Sequence, residues 1–210
     1  MIGEFGTNRL KREYRAIHND KKVGRMIGDQ VINHVWEIQD LTFKFAGGNN
    51  LLDFGCGKRY AYIYRKINRL WDVNKMVYYD LGIKGIDRLP DQSEFNCLIS
   101  IDVLEHIPEE EIDDIFEYWY HKDMKFVYAT IAAYPAVAKL ADGSNAHVNL
   151  NEWFWWENKI RKHITCDTLI CYQPQRSPKT WQYHYFDVKN RKIRLTIDHG
   201  KTVLDNSKNF

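Results

Sequence analysis

The clearest indication of the fold class is the segment Leu51-Leu52-Asp53-Phe54-Gly55-Cys56-Gly57. The short apolar run indicates a buried β-strand, and a pair of glycines follows it at once. A glycine at a strand end lets the backbone turn sharply and approach a ligand without a Cβ in the way. The pattern is typical of the first strand and turn of a Rossmann-like unit, in which a ligand binds beside the turn.

Strands and helices alternate along the rest of the chain. Apolar runs predict strands at 76–79, 96–103 and 125–131, and the spacing of apolar residues predicts helices over 31–41, 60–71, 108–121 and 153–163. Two further runs, 168–172 and 181–188, flank a proline-rich turn and predict a closing antiparallel hairpin, with an edge strand at 192–197. We therefore predict an α/β fold with a mostly parallel sheet and a C-terminal antiparallel hairpin.

Composition and charge exclude several classes of protein. The 210 residues are 44% hydrophobic and 14% aromatic, which allows a sizeable core and excludes disordered and collagen-like chains. The longest apolar stretch, 126–138, has thirteen residues and contains Pro135, whereas a membrane span needs roughly 20. The first residues show no charged-then-apolar pattern, so we expect no signal segment, and four scattered cysteines predict reduced thiols. We expect a cytoplasmic protein (host cytoplasm if viral) without a membrane partner.

The chain divides into one domain with appendages. Residues 1–7 resemble a cloning remnant and are excluded from the fold prediction. Residues 8–45 are expected to form a helical lid, 46–190 the ligand-binding domain and 191–210 a C-terminal extension.

The glycine turn and the acids around it resemble class I S-adenosylmethionine (SAM)-dependent methyltransferases. Short phage-type members of that family carry a run similar to Asp142-Gly143-Ser144-Asn145-Ala146-His147, followed by tryptophans such as Trp153, Trp155 and Trp156. The resemblance implies that Asp53 and the turn Gly55-Cys56-Gly57 bind the amino-acid end of SAM. It also implies that Asp80, with Leu81 beside it, binds the ribose hydroxyls, since a carboxylate accepts two hydrogen bonds from a diol. S-adenosylhomocysteine would be the product.

A second segment, Leu98-Ile99-Ser100-Ile101-Asp102-Val103-Leu104-Glu105-His106-Ile107-Pro108, resembles the fourth-strand segment of the same family. By that resemblance Ile101 and Asp102 lie beside the adenosine, and His106 caps the cleft. The likeness covers about residues 47–135. The chain departs from the family at Arg59, where a small residue is usual, and between Asp80 and Phe95. That interval is too short for a full βαβ unit of ~30 residues, so we predict a shortened third-strand region.

The loop at 141–147 is the candidate substrate region, with Asp142 and Asn145 in it and Trp153 after it. His147 is a candidate general base because its ordinary pKa lies near neutrality, and His106 is the second candidate. The alternative is that the loop is a turn whose side chains bond their own backbone.

Several alternatives remain open for the function. A small-molecule acceptor is the first choice; RNA or nucleotide methylation is the second, because residues 151–210 carry a net charge of +5. A non-catalytic interaction protein is the third, with Arg59 closing the pocket. Tyr60 disfavours a dinucleotide site, and the segment 102–105 disfavours the amino-directed and the C5-cytosine DNA methylases. No spacing of histidines and cysteines predicts a metal site.

Overall fold

A computed structural model describes residues 8–19, 29–187, 192–198 and 201–205. Eight strands form one sheet: β1 (Asn50–Phe54), β2 (Lys75–Tyr79), β3 (Cys97–Ser100), β4 (Phe126–Ala132), β5 (Asp167–Gln173), β6 (Gln182–Phe186), β7 (Lys192–Asp198) and β8 (Lys201–Asp205). The α-helices are α1 (Asn8–Asn19), α2 (Val35–Lys44), α3 (Tyr60–Arg65), α4 (Ile112–Trp119) and α5 (Trp153–His163). The N-terminal remnant at 1–7 and the segment 20–28 of the expected lid lie outside the described residues.

The sheet has the order β2-β1-β3-β4-β5-β6-β7-β8. The first five strands are parallel to one another, and β6, β7 and β8 follow as antiparallel neighbours. This is the α/β Rossmann-like fold with a C-terminal antiparallel hairpin that the sequence predicts. The predicted edge strand at 192–197 corresponds to β7, and β8 extends the sheet by one more strand.

Strand β1 has β2 on one side and β3 on the other, so the chain reverses its direction across the sheet at this strand. In open parallel sheets such a switch point leaves a crevice at the carboxyl ends of the strands, where ligands bind. Between β2 and β3 the described chain contains one short 3-10 turn, Gln92–Glu94, and no helix or strand. The predicted shortening of the third-strand region is therefore confirmed.

Both faces of the parallel strands are buried, which explains their continuous apolar runs. On one face Leu52, Leu98 and Val127 pack beneath α4 and α5. On the other face Leu51 and Tyr128 pack beneath α2 and α3. The successive strand residues thus alternate between two cores, and the sheet is fixed rigidly between them.

Three predicted helices differ from the observed ones. The helix predicted at 31–41 begins as the 3-10 turn Gln30–His34 and is α-helical over Val35–Lys44. The helix predicted at 60–71 ends at Arg65, because Lys66 adopts a left-handed backbone with φ +55° and a 3-10 turn follows at Ile67–Leu70. The helix predicted at 108–121 begins as the 3-10 turn Glu109–Glu111 and becomes α-helical only at Ile112. Helix α5 has the predicted bounds.

None of the helices in the described part of the chain combines the length and the apolar character that a membrane crossing requires. All four cysteines are buried and carry free thiols.

Candidate functional site

The site is built at the carboxyl ends of β1, β2 and β3. Gly55 follows β1 with φ +86°, a conformation that favours glycine. A Cβ on Gly55 would lie 2.3 Å from Cγ2 of Val103, so only glycine allows the β1 turn to approach the segment after β3. The backbone conformation and the close packing both require a glycine at position 55, as the sequence pattern predicted.

The glycine turn is tied to β2 by its own amides. The N–H groups of Gly55 and Cys56 both donate to the carbonyl oxygen of Tyr79, over 2.7 and 3.1 Å. The N–H of Gly57 donates to Oδ2 of Asp80 over 2.8 Å. These three amides fix the shape of the turn and place the carboxylate of Asp80 against it.

Asp80 is almost fully buried and has three partners. Besides Gly57, the N–H of Gly82 donates to its Oδ1 over 2.8 Å, and Nε2 of His18 lies 3.2 Å from the same oxygen. The adjacent Leu81 is half-buried and packs on the core beneath α4 and α5. The carboxylate predicted to bind ribose is thus held rigidly but is shared with a histidine from α1.

Helix α1 lies against this end of the sheet. The hydroxyl of Tyr14 donates to the carbonyl oxygen of His106 over 3.2 Å, and the two rings meet edge to face. Arg15 forms an ion pair with Asp87 at 2.7 Å, in the loop that follows Asp80. Tyr14 and His18 are four positions apart, the spacing that brings side chains to one face of a helix. Both side chains therefore lie on the face of α1 that contacts the sheet. This spacing was the available sequence signal, and our sequence analysis missed both residues.

Asp53 lies buried beneath the glycine turn. The hydroxyl of Tyr62 donates to its Oδ2 over 2.5 Å. The pKa of Asp53 is raised to about 7, chiefly by burial and to a smaller extent by the neighbouring Asp80, while the hydrogen bond from Tyr62 opposes the shift. A positively charged ligand beside Asp53 would favour its ionised form.

Cys56 is not a candidate nucleophile in this geometry, and Arg59 is held by a neighbouring ring. Cys56 is buried, and burial raises the pKa of its thiol far above the ordinary value, so the reactive thiolate is suppressed. Arg59 adopts a left-handed backbone with φ +59°, and its guanidinium lies 5.1 Å from the ring centroid of Tyr78. The departure from the family pattern is thus accommodated by cation–π stacking.

The two residues after β3 that were predicted to lie beside the adenosine, Ile101 and Asp102, differ in their exposure. Ile101 is buried in the core beneath α2 and α3, whereas the side chain of Asp102 is exposed to solvent. Asp102 has φ +60°, and its N–H donates to Oγ1 of Thr130 over 2.9 Å. The backbone at Asp102 is therefore held in a left-handed conformation, which aspartate tolerates better than most residues.

His106 and His147 lie together beside Asp102. Their ring centroids are 4.7 Å apart, and the planes are nearly perpendicular. Nδ1 of His106 lies 2.8 Å from the carbonyl oxygen of Ala146, and Nδ1 of His147 lies 2.6 Å from that of Tyr134. One ring nitrogen from each histidine and one carboxylate oxygen of Asp102 all lie within 4.8 Å of one another. Burial lowers the pKa of His106, which favours a neutral imidazole.

Glu105 connects the two segments that carry these histidines, and our sequence analysis gave it no role. Its side chain is fully buried, and its Oε1 accepts from the N–H of Ala132 over 3.0 Å. Its carbonyl oxygen accepts from the N–H groups of Val148 and Asn149. Glu105 thus fixes the loop after β4, which brings His147 next to His106. Burial, with Asp102 nearby, raises the pKa of Glu105 well above its ordinary value.

The predicted substrate residues occupy different surroundings. Asp142 is exposed, and its Oδ1 accepts from both the N–H and the hydroxyl of Ser144. Asn145 bonds the backbone of Ala136 and of His147, so it holds the loop that presents His147. The ring of Trp153 stacks on that of His184 on β6, 3.6 Å between centroids. The structure brings His106, His147 and Asp102 together, and it does not bring the side chains of Asp142 or Trp153 into that group of contacts.

Comparison with known proteins identifies no relative for this chain. No protein-family model matches it, and no curated protein and no solved structure matches it either.

Proposed function

We propose that the chain is a methyltransferase that transfers a methyl group from SAM to an acceptor, with a small molecule as the first choice. The observation that carries the proposal is the position of the glycine turn. It lies at the switch point between β1 and β3, with the carboxylate of Asp80 against it.

The charges around the turn support a cationic ligand with a diol. SAM carries an ammonium group and a sulfonium group, and two buried carboxylates, Asp53 and Asp80, lie at this end of the sheet. A bound cation would stabilise the ionised form of Asp53, whose pKa burial raises to about 7. Asp80 would accept hydrogen bonds from the ribose hydroxyls once His18 moves away.

The two histidines supply basic groups across the same cleft. A carbonyl oxygen can only accept a hydrogen bond, so Nδ1 of His106 and Nδ1 of His147 carry the hydrogens and Nε2 keeps a lone pair on each neutral ring. Such a lone pair can take the proton that the acceptor loses during methyl transfer. The methyl transfer itself needs alignment rather than an activated enzyme nucleophile.

The other two candidate functions gain less support. The basic residues from 188 onward have no described side chains, so their position relative to the cleft lies outside the described residues. Arg59, which would close the pocket in a non-catalytic protein, instead stacks on Tyr78.

Thermal denaturation of the full chain with SAM, with S-adenosylhomocysteine and with NAD tests the proposal. A ligand present at 100 times its Kd stabilises the folded state by about 2.7 kcal/mol. For a chain of this size that corresponds to an increase in Tm of several degrees, on the order of 5–10 °C. We expect SAM and S-adenosylhomocysteine to stabilise and NAD, which shares only the adenosine, not to. Absence of a shift and of calorimetric heat with both sulfur ligands would refute the proposal.

A further inference from the structure

We propose that Asp102, His106 and His147 form a binding site for a divalent first-row transition metal ion, such as Zn²⁺, Co²⁺ or Fe²⁺. The three residues come from two separate segments of chain, the one after β3 and the loop after β4. Each offers one ligand atom, and these atoms all lie within 4.8 Å of one another. Two imidazole nitrogens and one carboxylate oxygen are a ligand set that such ions bind with further positions open.

The hydrogen bonds behind the two rings support this assignment. Histidines that bind metal typically donate the other ring N–H to a carbonyl or carboxylate, which fixes the tautomer and the ring orientation. Nδ1 of His106 and Nδ1 of His147 both lie within hydrogen-bond distance of a main-chain carbonyl oxygen, at 2.8 and 2.6 Å. Both rings are therefore oriented, and each keeps Nε2 with a lone pair for a ligand.

The backbone beneath the three ligands is also fixed. Asp102 is held by its bond to Thr130, and the carbonyl oxygen of Glu105 accepts two amides from the loop that carries His147. A metal ion at ~2.0–2.2 Å from its ligand atoms keeps those atoms about 3–4 Å apart. The observed separations thus require side-chain adjustments of about 1 Å and no change of the backbone.

The local charge favours a cation. Asp102 is exposed and pairs with no lysine or arginine among the described residues. A divalent ion would give this carboxylate a cationic partner. Simple packing of the two histidines explains their Nδ1 contacts, but it leaves their convergence on an exposed carboxylate without a reason.

The role of the ion rests on the proposed function, and with an ion bound the Nε2 lone pairs of His106 and His147 would serve as ligands in place of the basic role described above. Three protein ligands leave coordination positions open toward solvent, and an oxygen atom of the methyl acceptor would occupy one of them. Acceptors with a hydroxyl or carboxylate oxygen are therefore the class that this site favours. The metal site itself does not depend on methyl transfer, and its test uses no methyl donor.

The test uses the full chain after dialysis against a chelator. Titration with Co²⁺, followed by visible absorption, and with Zn²⁺, followed by calorimetry, should show one equivalent bound. Asp102→Asn, with an exposed side chain and a residue type that keeps the left-handed backbone, should fold normally. We expect it, together with His106→Gln and His147→Gln, to weaken binding by at least about tenfold. Acetohydroxamate, a bidentate oxygen ligand, should then shift the Co²⁺ bands if positions are open.

The matched control is His121→Gln, because both nitrogens of His121 are already engaged, Nε2 with the carbonyl of Phe95 and Nδ1 with the N–H of Asp123. This variant should bind metal like the unaltered chain. The proposal is overturned if the unaltered chain binds neither ion stoichiometrically, or if Asp102→Asn binds them equally well. Metal binding without any SAM binding would refute only the proposed function, and SAM binding without metal binding would refute only this site.

Discussion

Nε2 of His18 lies 3.2 Å from Oδ1 of Asp80, and both side chains are almost fully buried. The contact is possible because residue 82 is a glycine: a Cβ there would lie 2.4 Å from Cδ2 of His18. Together with the amides of Gly57 and Gly82, the histidine fills three of the about four acceptor sites of the carboxylate. A ribose diol would therefore compete with His18 for Asp80, and α1 would act as a lid that ligand binding displaces.

Replacement of Gly82 by alanine tests this competition. Gly82 has no left-handed backbone, so alanine causes no backbone strain at position 82. Its Cβ would lie 2.4 Å from Cδ2 of His18 and 3.1 Å from the main-chain carbonyl carbon of Tyr14, so it displaces the ring of His18 and moves α1 with it. A buried hydrogen bond contributes ~0.5–1.5 kcal/mol net, so we expect SAM to bind about 2- to 10-fold more tightly. Trypsin should also cleave faster at Arg15. His18→Ala should act in the same direction without an added Cβ, and unchanged affinity in both variants would show that α1 does not compete.

Asp80→Asn tests the ribose assignment itself. The substitution keeps the size of the side chain but removes its charge and one acceptor oxygen. Hydrogen bonds to a charged group are worth ~1.5–3 kcal/mol each, so the affinity for SAM should fall at least tenfold by calorimetry. Asp91→Asn is the control, because Asp91 is an exposed acid that caps a 3-10 turn. If Asp80→Asn binds SAM like the control, the ribose lies elsewhere.

Asp53 should make the stability of the protein depend on pH. Its pKa is raised by burial from 3.8 to about 7, so between these values the native state holds a proton that the unfolded state has lost. Stability then falls as the pH rises from about 4 to 7, and the penalty is complete above pH 7. Asp53→Asn removes this penalty and still accepts from Tyr62. It should stabilise the protein by about 2–4 kcal/mol at pH 8 and by little at pH 4, measured by urea denaturation. An equal effect at both pH values would contradict the assignment.

The architecture could be predicted from the sequence because the parallel strands are recognisable as continuous apolar runs. Burial on both faces makes such a run visible without any knowledge of its neighbours, as in 97–100 and 126–132. The glycine turn was predicted for a related reason, since Gly55 combines a left-handed backbone with a close approach to Val103. The end of α3 was not predicted, because a lysine at position 66 does not indicate a left-handed backbone conformation.

The site was only partly predictable. The sequence analysis named each of Asp102, His106 and His147 as a candidate site residue. Their convergence, however, depends on the hydrogen bonds that the carbonyl oxygen of Glu105 accepts from residues 148 and 149. Such bonds leave no spacing in the sequence, which is why no metal-ligand pattern was visible. The contact of His18 with Asp80 is equally long-range, and it depends on the missing Cβ of Gly82.

Gly55→Ala provides the sharpest test of the turn. Its alanine Cβ would lie 2.3 Å from Cγ2 of Val103, in a backbone with φ +86°. The left-handed backbone costs roughly 1–2 kcal/mol and the overpacking about 1–3 kcal/mol more. Gly85→Ala separates the two contributions, because Gly85 has φ +95° but open space around its missing Cβ. In urea denaturation the free energy of unfolding of this control should fall only by the backbone contribution.

Addition of Val103→Ala to Gly55→Ala should then restore the part of the free energy of unfolding that Gly55→Ala loses through overpacking. We expect the double variant to be more stable than the sum of the single effects predicts, with a coupling energy of about 1–3 kcal/mol. The affinity for SAM should recover in parallel if the shape of the turn matters for binding. Strictly additive effects would mean that the close approach of Gly55 to Val103 contributes nothing, and that the glycine serves only the backbone conformation.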